Sequence, residues 1–74
     1  MPEFESVHYT EHARRRMRQR RIPEAEVERV LRFGEGHPDQ KDKWVYELDD
    51  TRVIIVESQS IARVITVVRL RGKR

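Results

Sequence analysis

Apolar residues recur along this chain with two periods. Val27, Val30 and Leu31 stand at i, i+3 and i+4, the spacing of one helix face. From residue 43 onward the period changes to two, with Trp44, Tyr46 and Leu48 falling on one side of an extended run. The punctuation agrees with this division. Pro23 stands at or just before the first turn of the helix, Glu24 and Glu26 follow where the dipole favours negative charge, and Arg29 and Arg32 suit its last turn. Ile22 is placed to pack on Val27 as a hydrophobic staple, and Gly34 is expected to supply a left-handed stop. Upstream, Phe4–Tyr9 alternates like a short strand, and Thr10 is the expected N-cap of a helix over Glu11–Arg21. Downstream, Gly34 to Asp42 reads as a polar loop. Asp49-Asp50-Thr51 and Ser58-Gln59-Ser60 turn the chain between strands at Lys43–Leu48, Arg52–Glu57 and Ile61–Leu70. The order (β)ααβββ predicts a single α+β domain over residues 1–74. Two N-terminal helices would pack on one side of a three- to four-stranded antiparallel sheet, with or without a preceding short strand.

Composition narrows the class. Seventy-four residues, 36% hydrophobic, allow only a small core. With no cysteine, a disulfide framework and a cysteine-ligated metal site are both excluded. No apolar run approaches the roughly 18–20 residues of a membrane span, and the start Met-Pro-Glu-Phe-Glu lacks the pattern of a signal peptide. A soluble cytoplasmic protein is the expectation.

The net charge of +3 understates how the charge is arranged. Six arginines crowd into Arg14–Arg21 and more basic residues collect in the tail from Arg69, whereas most acids lie between Glu24 and Glu57. Arginine engages phosphate through a planar fork, so nucleic acid is the first partner to consider; a solvated charged face is the alternative.

Helical geometry divides these arginines into two sets. Measured from the direction of Ala13, Met17 lies about 40° to one side, with Arg20 about 20° and Arg16 about 60° to the other. His12 lies beyond Arg16, at about 100°. Arg14, Arg15, Arg18 and Arg21 occupy the outer side as a phosphate-attracting or solubilising face. Arg16 and Arg20 point toward the rest of the protein, where they must snorkel, line a cleft, or pair with Glu47, Glu57 or a glutamate of the second helix. His12 sits in a first helical turn ahead of Arg15 and Arg16, an electrostatic setting that favours the neutral imidazole. Such a ring could accept a proton from a ribose 2′-hydroxyl, or simply cap the helix. His8 and His12 lack an evident third ligand, so no metal is expected. The chain has no P-loop, dinucleotide fingerprint or nucleophile elbow, and no cofactor is expected. Trp44 and Tyr46 can stack on bases or fill the core.

The run His12-Ala13-x-x-Arg16-Met17-x-x-Arg20-Arg21-Ile22, with Glu24-Ala-Glu26-Val27 and the strands that follow, resembles a bacterial domain-of-unknown-function family, number 4258. The resemblance spans about residues 8–70. Arg21 stands where that family's pattern has glycine, which puts a left-handed corner in doubt. Such domains are similar in layout to RelE-like and barnase–colicin–EndoU-like toxin ribonucleases. The resemblance implies RNA as partner, His12 as general base or acid, Arg16 and Arg20 as phosphate ligands, and Thr66 as a weaker polar contributor. Arg52, Arg63, Arg69 and Arg71 are suggested as further nucleic-acid contacts by charge alone.

Three functions are thereby expected in competition. The first is a metal-independent endoribonuclease of toxin type, working by 2′-hydroxyl transesterification, with Tyr46 or a protonated histidine among the candidate proton donors. The second is a non-catalytic nucleic-acid-binding domain. The third is a basic interaction module that pairs with an acidic antitoxin or with itself, using for example an exposed edge of the long final strand.

Overall fold

The computed structural model of the protein describes residues 4–70. Its elements are β1 (Ser6–Tyr9), α1 (Glu11–Arg20), α2 (Glu24–Phe33), β2 (Glu35–Pro38), β3 (Lys43–Leu48), β4 (Thr51–Ser58) and β5 (Ile61–Arg69). The five strands form one sheet in the order β1-β5-β4-β3-β2. The β2–β5 meander is antiparallel throughout, and β1 joins parallel to β5, with Val7 opposite Ala62 and Tyr9 opposite Val64. Both helices lie on one face, α1 over β5 and α2 over β3 and β4.

Two features of the sheet differ from the sequence expectation. It is mixed rather than purely antiparallel, because the chain leaves β1, crosses one face through both helices and re-enters at the opposite edge. It also gains a fifth strand from Glu35–Pro38, inside the segment expected as loop. Glycine and proline are poor strand formers, but proline is tolerated on an edge, and β2 is an edge. Its pairing also places Gly36 opposite Tyr46, and a side chain at Gly36 would collide with the tyrosine ring. The final strand, in turn, is interior: β4 flanks one side of it and β1 pairs with Ile61–Val64 on the other. Only the Ile65–Arg69 half of β5 is left without a strand on the β1 side among the described residues.

Burial follows the registers. Tyr46, Val53, Ile55, Ala62, Val64 and Val67 face the helices and are buried with Ala13, Met17, Ile22, Val27, Val30 and Leu31. Ile22 and Val27 share this cluster, as a staple requires. A β-bulge interrupts the alternation in β5: Val64 pairs with Ile55 and Thr66 with Ile54, leaving Ile65 as the extra residue. Val64 and Val67, three positions apart, consequently both reach the core. The opposite face, carrying Val45, Ile54, Val56, Thr66 and Val68, has no helix over it among the described residues, and these side chains are half-buried.

A polar network closes one end of the domain. Thr51 is buried, and its hydroxyl donates to Glu26 Oε2 at 2.6 Å. Arg69 donates to the same Glu26 oxygen at 2.9 Å and to Asp50 Oδ1 at 3.3 Å. Burial works against the charge of Arg69, but hydrogen bonding and attraction to Glu26, then to Asp50, outweigh it and raise its pKa. One guanidinium thus joins the end of β5 to α2 and to the β3–β4 turn. No helix among the described residues is long and apolar enough to cross a membrane.

Candidate nucleic-acid interface

The first helix begins where the sequence indicates. Thr10 Oγ1 accepts from the Ala13 amide at 3.1 Å, and the Thr10 amide donates to the Val64 carbonyl at 3.0 Å, so the cap also ties the helix to β5. Ala13 and Met17 are buried beneath it. The two sets of arginines are reproduced in burial: Arg16 and Arg20 are half-buried, whereas Arg14, Arg15, Arg18 and Arg21 are exposed.

Neither Arg16 nor Arg20 meets a carboxylate among the described residues. The salt bridges found there involve Arg14, Arg29, Arg52 and Arg69. Arg16 makes only a long contact with Gln19 Oε1, at 3.5 Å. The ion pairs considered for these two residues with Glu47 and Glu57 do not form, because those carboxylates lie elsewhere: Glu47 holds Arg52 Nε at 2.7 Å. His12 is exposed. His12, Arg16 and Arg20 fall one turn apart, at intervals of about 6 Å along the axis. The result is a row of two guanidiniums and an imidazole along one side of α1.

The remaining candidates scatter. Arg14 is tied to Glu24 at 3.1 Å and lies 5.1 Å above the Tyr9 ring, a cation–π distance. Thr66 shares the register of Ile54 on the uncovered face, with the sheet between it and α1. Arg52 and the exposed Arg63 belong to that same face, Arg63 opposite His8. Arg69 is held in the network described above, and Arg71 lies outside the described residues. His12, Arg16 and Arg20 therefore share one side of α1 over about two turns, and the sheet separates them from Thr66, Arg52 and Arg63.

Two phenols lie on the helix side of the sheet. Burial, then Glu24 and Glu28, push the Tyr9 hydroxyl up to about 12, with Arg14 pulling the other way. Tyr46 is raised by burial and then by Glu57, and is almost completely enclosed, edge-on to Phe4 and stacked with Trp44. Tyr46 belongs to the core and cannot reach a bound strand as a proton donor.

The helix corner contains what sequence reasoning missed. Arg21 takes φ 56° and ψ 47°, the left-handed conformation expected of glycine, so the corner survives the replacement. The Ile22 amide donates to the Met17 carbonyl at 2.9 Å, and both side chains are buried, as in a Schellman ending. An open cavity of about 460 Å³ lies against this corner, walled by Arg14, Arg18, Arg21 and Glu24. Met17, Ile22 and Pro23 supply its apolar lining. Only the family's glycine pointed to this bend, and nothing in the spacing indicated the cavity.

A left-handed arginine is strained, by about 1–2 kcal/mol relative to glycine, part of which glycine returns as entropy of the unfolded chain. Arg21→Gly is accordingly expected to stabilise the fold by about 1 kcal/mol, raising the thermal midpoint by a few degrees in circular dichroism. A lowered midpoint would contradict this.

Residues 9–69 match the sequence pattern of DUF4258, a domain of unknown function. The chain belongs to the DUF4258 family. No curated protein and no solved structure matches it. In this DUF4258 domain His12, Arg16 and Arg20 form the row on α1, and Arg21 holds the left-handed corner that ends that helix.

Proposed function

We propose that this domain binds RNA through α1, with Arg15, Arg16, Arg18, Arg20 and Arg21 engaging the phosphates of a single strand. The observation that carries the reading is that five of the seven arginines without a carboxylate partner among the described residues lie on α1 or at its C-cap, the other two being Arg32 and Arg63, while Arg14, Arg29, Arg52 and Arg69 are paired. Charges left unneutralised on one helix repel each other, and a polyanion relieves that repulsion as counterions leave it. Fluorescence anisotropy with labelled oligouridine tests the reading. Log affinity should fall linearly with log salt at about −0.7 per phosphate contact, giving a slope near −3 for five partly used arginines. Binding that ignores salt, or no binding at low salt, would overturn it.

A second reading adds cleavage, favoured by the spacing of His12, Arg16 and Arg20. His12 would remove the 2′-hydroxyl proton, the freed oxygen would attack the adjacent phosphorus, and the two guanidiniums would stabilise the developing charge. The leaving 5′-oxygen would take its proton from solvent water at this open helix face, since Tyr46 is too deeply enclosed to supply it. The order of strands and helices is compatible with the RelE-like toxin ribonucleases, which is the other support for this reading. Incubation with RNA in chelator should then give 2′,3′-cyclic phosphate ends that disappear in His12→Ala. Intact RNA, or equal cleavage by the variant, removes His12 catalysis and leaves the binding domain. An acidic antitoxin-like protein or a second copy of the chain would be an alternative occupant of the same basic helix.

A further inference from the structure

The corner between α1 and α2 has a composition that phosphate attraction does not require. Its cavity combines four charged residues with Pro23 and the outer edges of the almost wholly buried Met17 and Ile22, and one of the four, Glu24, is a carboxylate. Glu24 stands in the first turn of α2 and pairs with Arg14 through one oxygen, which leaves the other free to accept from a donor that a base edge offers and a phosphate does not. Apolar surface beside an acceptor-only side chain suits a nucleobase: the flat faces leave water, and the polar edge finds its hydrogen bonds.

The placement of Glu24 sharpens the match. Arg14 holds its Oε2 at 3.1 Å and is itself stationed over the Tyr9 ring, so the carboxylate is oriented from behind. Oε1 has no hydrogen-bond partner among the described residues. Guanine presents two adjacent donors, N1–H and the N2 amino group, to a carboxylate edge. Adenine and cytosine each offer an amino group next to a ring acceptor, and uracil flanks its one N–H with carbonyls; each sets a lone pair against the carboxylate. Arg18 and Arg21 are exposed on the other walls, where a guanidinium can stack on a base or take the flanking phosphates. The volume, about 460 Å³, suits a ligand of nucleotide size.

We propose that this corner is a base pocket that takes one unstacked guanine of a bound RNA strand, with Glu24 accepting from its N1–H and N2–H. The proposal rests on the RNA-binding reading above and adds base selectivity to it. Three labelled strands separate the two: oligouridine, the same strand with one central guanosine, and the same strand with one central adenosine, compared by anisotropy at fixed low salt. The guanosine strand should bind about tenfold more tightly than the adenosine strand. In Glu24→Gln, which presents an amide donor where the carboxylate presented an acceptor, that ratio should fall to near one. Salt-sensitive binding with no guanosine preference, or a preference that Glu24→Gln retains, overturns the pocket and leaves the RNA-binding reading intact. Failure of all three strands to bind overturns both.

Discussion

Replacing Gly34 with alanine is expected to destabilise the domain by about 3 kcal/mol, from a total of about 4–10 kcal/mol for a chain of this size. The reason is steric rather than conformational. Gly34 has φ −78° and ψ 169°, extended backbone open to any residue. A methyl group there would sit 2.5 Å from the Val30 carbonyl oxygen and 2.6 Å from that of Glu47. Both obstacles are backbone, one in the last turn of α2 and one in β3, so neither can rotate aside as a side chain would. Relief requires moving the end of α2 off β3, which would disturb the buried cluster of Val27, Val30, Leu31 and Tyr46. Urea unfolding followed by circular dichroism measures the loss. A midpoint equal to the parent's would show that α2 and β3 can separate locally at no cost. Arg21→Gly, with the opposite expected sign, is the internal comparison.

Gly34 also illustrates which parts of the fold the sequence makes legible. Its position at the end of α2 is readable from the periodicity, but its conformation is not: the left-handed helix ending is Arg21, at the end of α1, and Gly34 instead permits close packing. Local signals were sufficient for Thr10 as a cap, for both helices and for the β3–β5 meander, because caps, periods and two-residue turns act within a few positions. The parallel pairing of β1 with β5 joins residues near opposite ends of the chain and leaves no such mark. The strand Glu35–Pro38 carries residues that ordinarily break strands, and only its edge position makes it viable.

The candidate site divides along the same line. Helical geometry alone separated Arg16 and Arg20 from the outer arginines, and burial repeats that separation. It could not show that they lack carboxylate partners, since that depends on where Glu47 and Glu57 fall in the sheet. Thr66 shows a different limit. Strict alternation from Val64 would turn it toward the helices, but the bulge at Ile65 reverses the phase and puts it on the uncovered face. An inserted residue in a run of β-branched side chains has no signature in sequence. Likewise, charge counting treated Arg69 and Arg15 alike, although one is held by Glu26 and Asp50 and the other is exposed.

That distinction between paired and unpaired arginines leads to the largest functional effect. Changing Arg15, Arg18 and Arg21 together to glutamine should weaken oligouridine binding about a hundredfold at low salt, taking about 1 kcal/mol for each exposed phosphate contact. Glutamine keeps most of the reach and polarity of the side chain, and the three residues are exposed, so the fold should persist. The control removes the same charge elsewhere: Arg29, Arg32 and Arg52 changed together to glutamine, of which only the exposed Arg32 lacks a carboxylate partner among the described residues. Arg29 and Arg52 already face Asp49 and Glu47, at 3.6 Å and 2.7 Å, and a phosphate would have to displace those carboxylates. This second variant should therefore lose only a few-fold, through the change in net charge. The salt slope should shrink by about 2 in the first variant and by no more than about 0.7 in the second, because each lost phosphate contact removes about 0.7. If both triple variants weaken binding equally, attraction follows net charge, and α1 is no more an interface than the rest of the surface. If only the first does, the unneutralised helix is the surface that RNA meets.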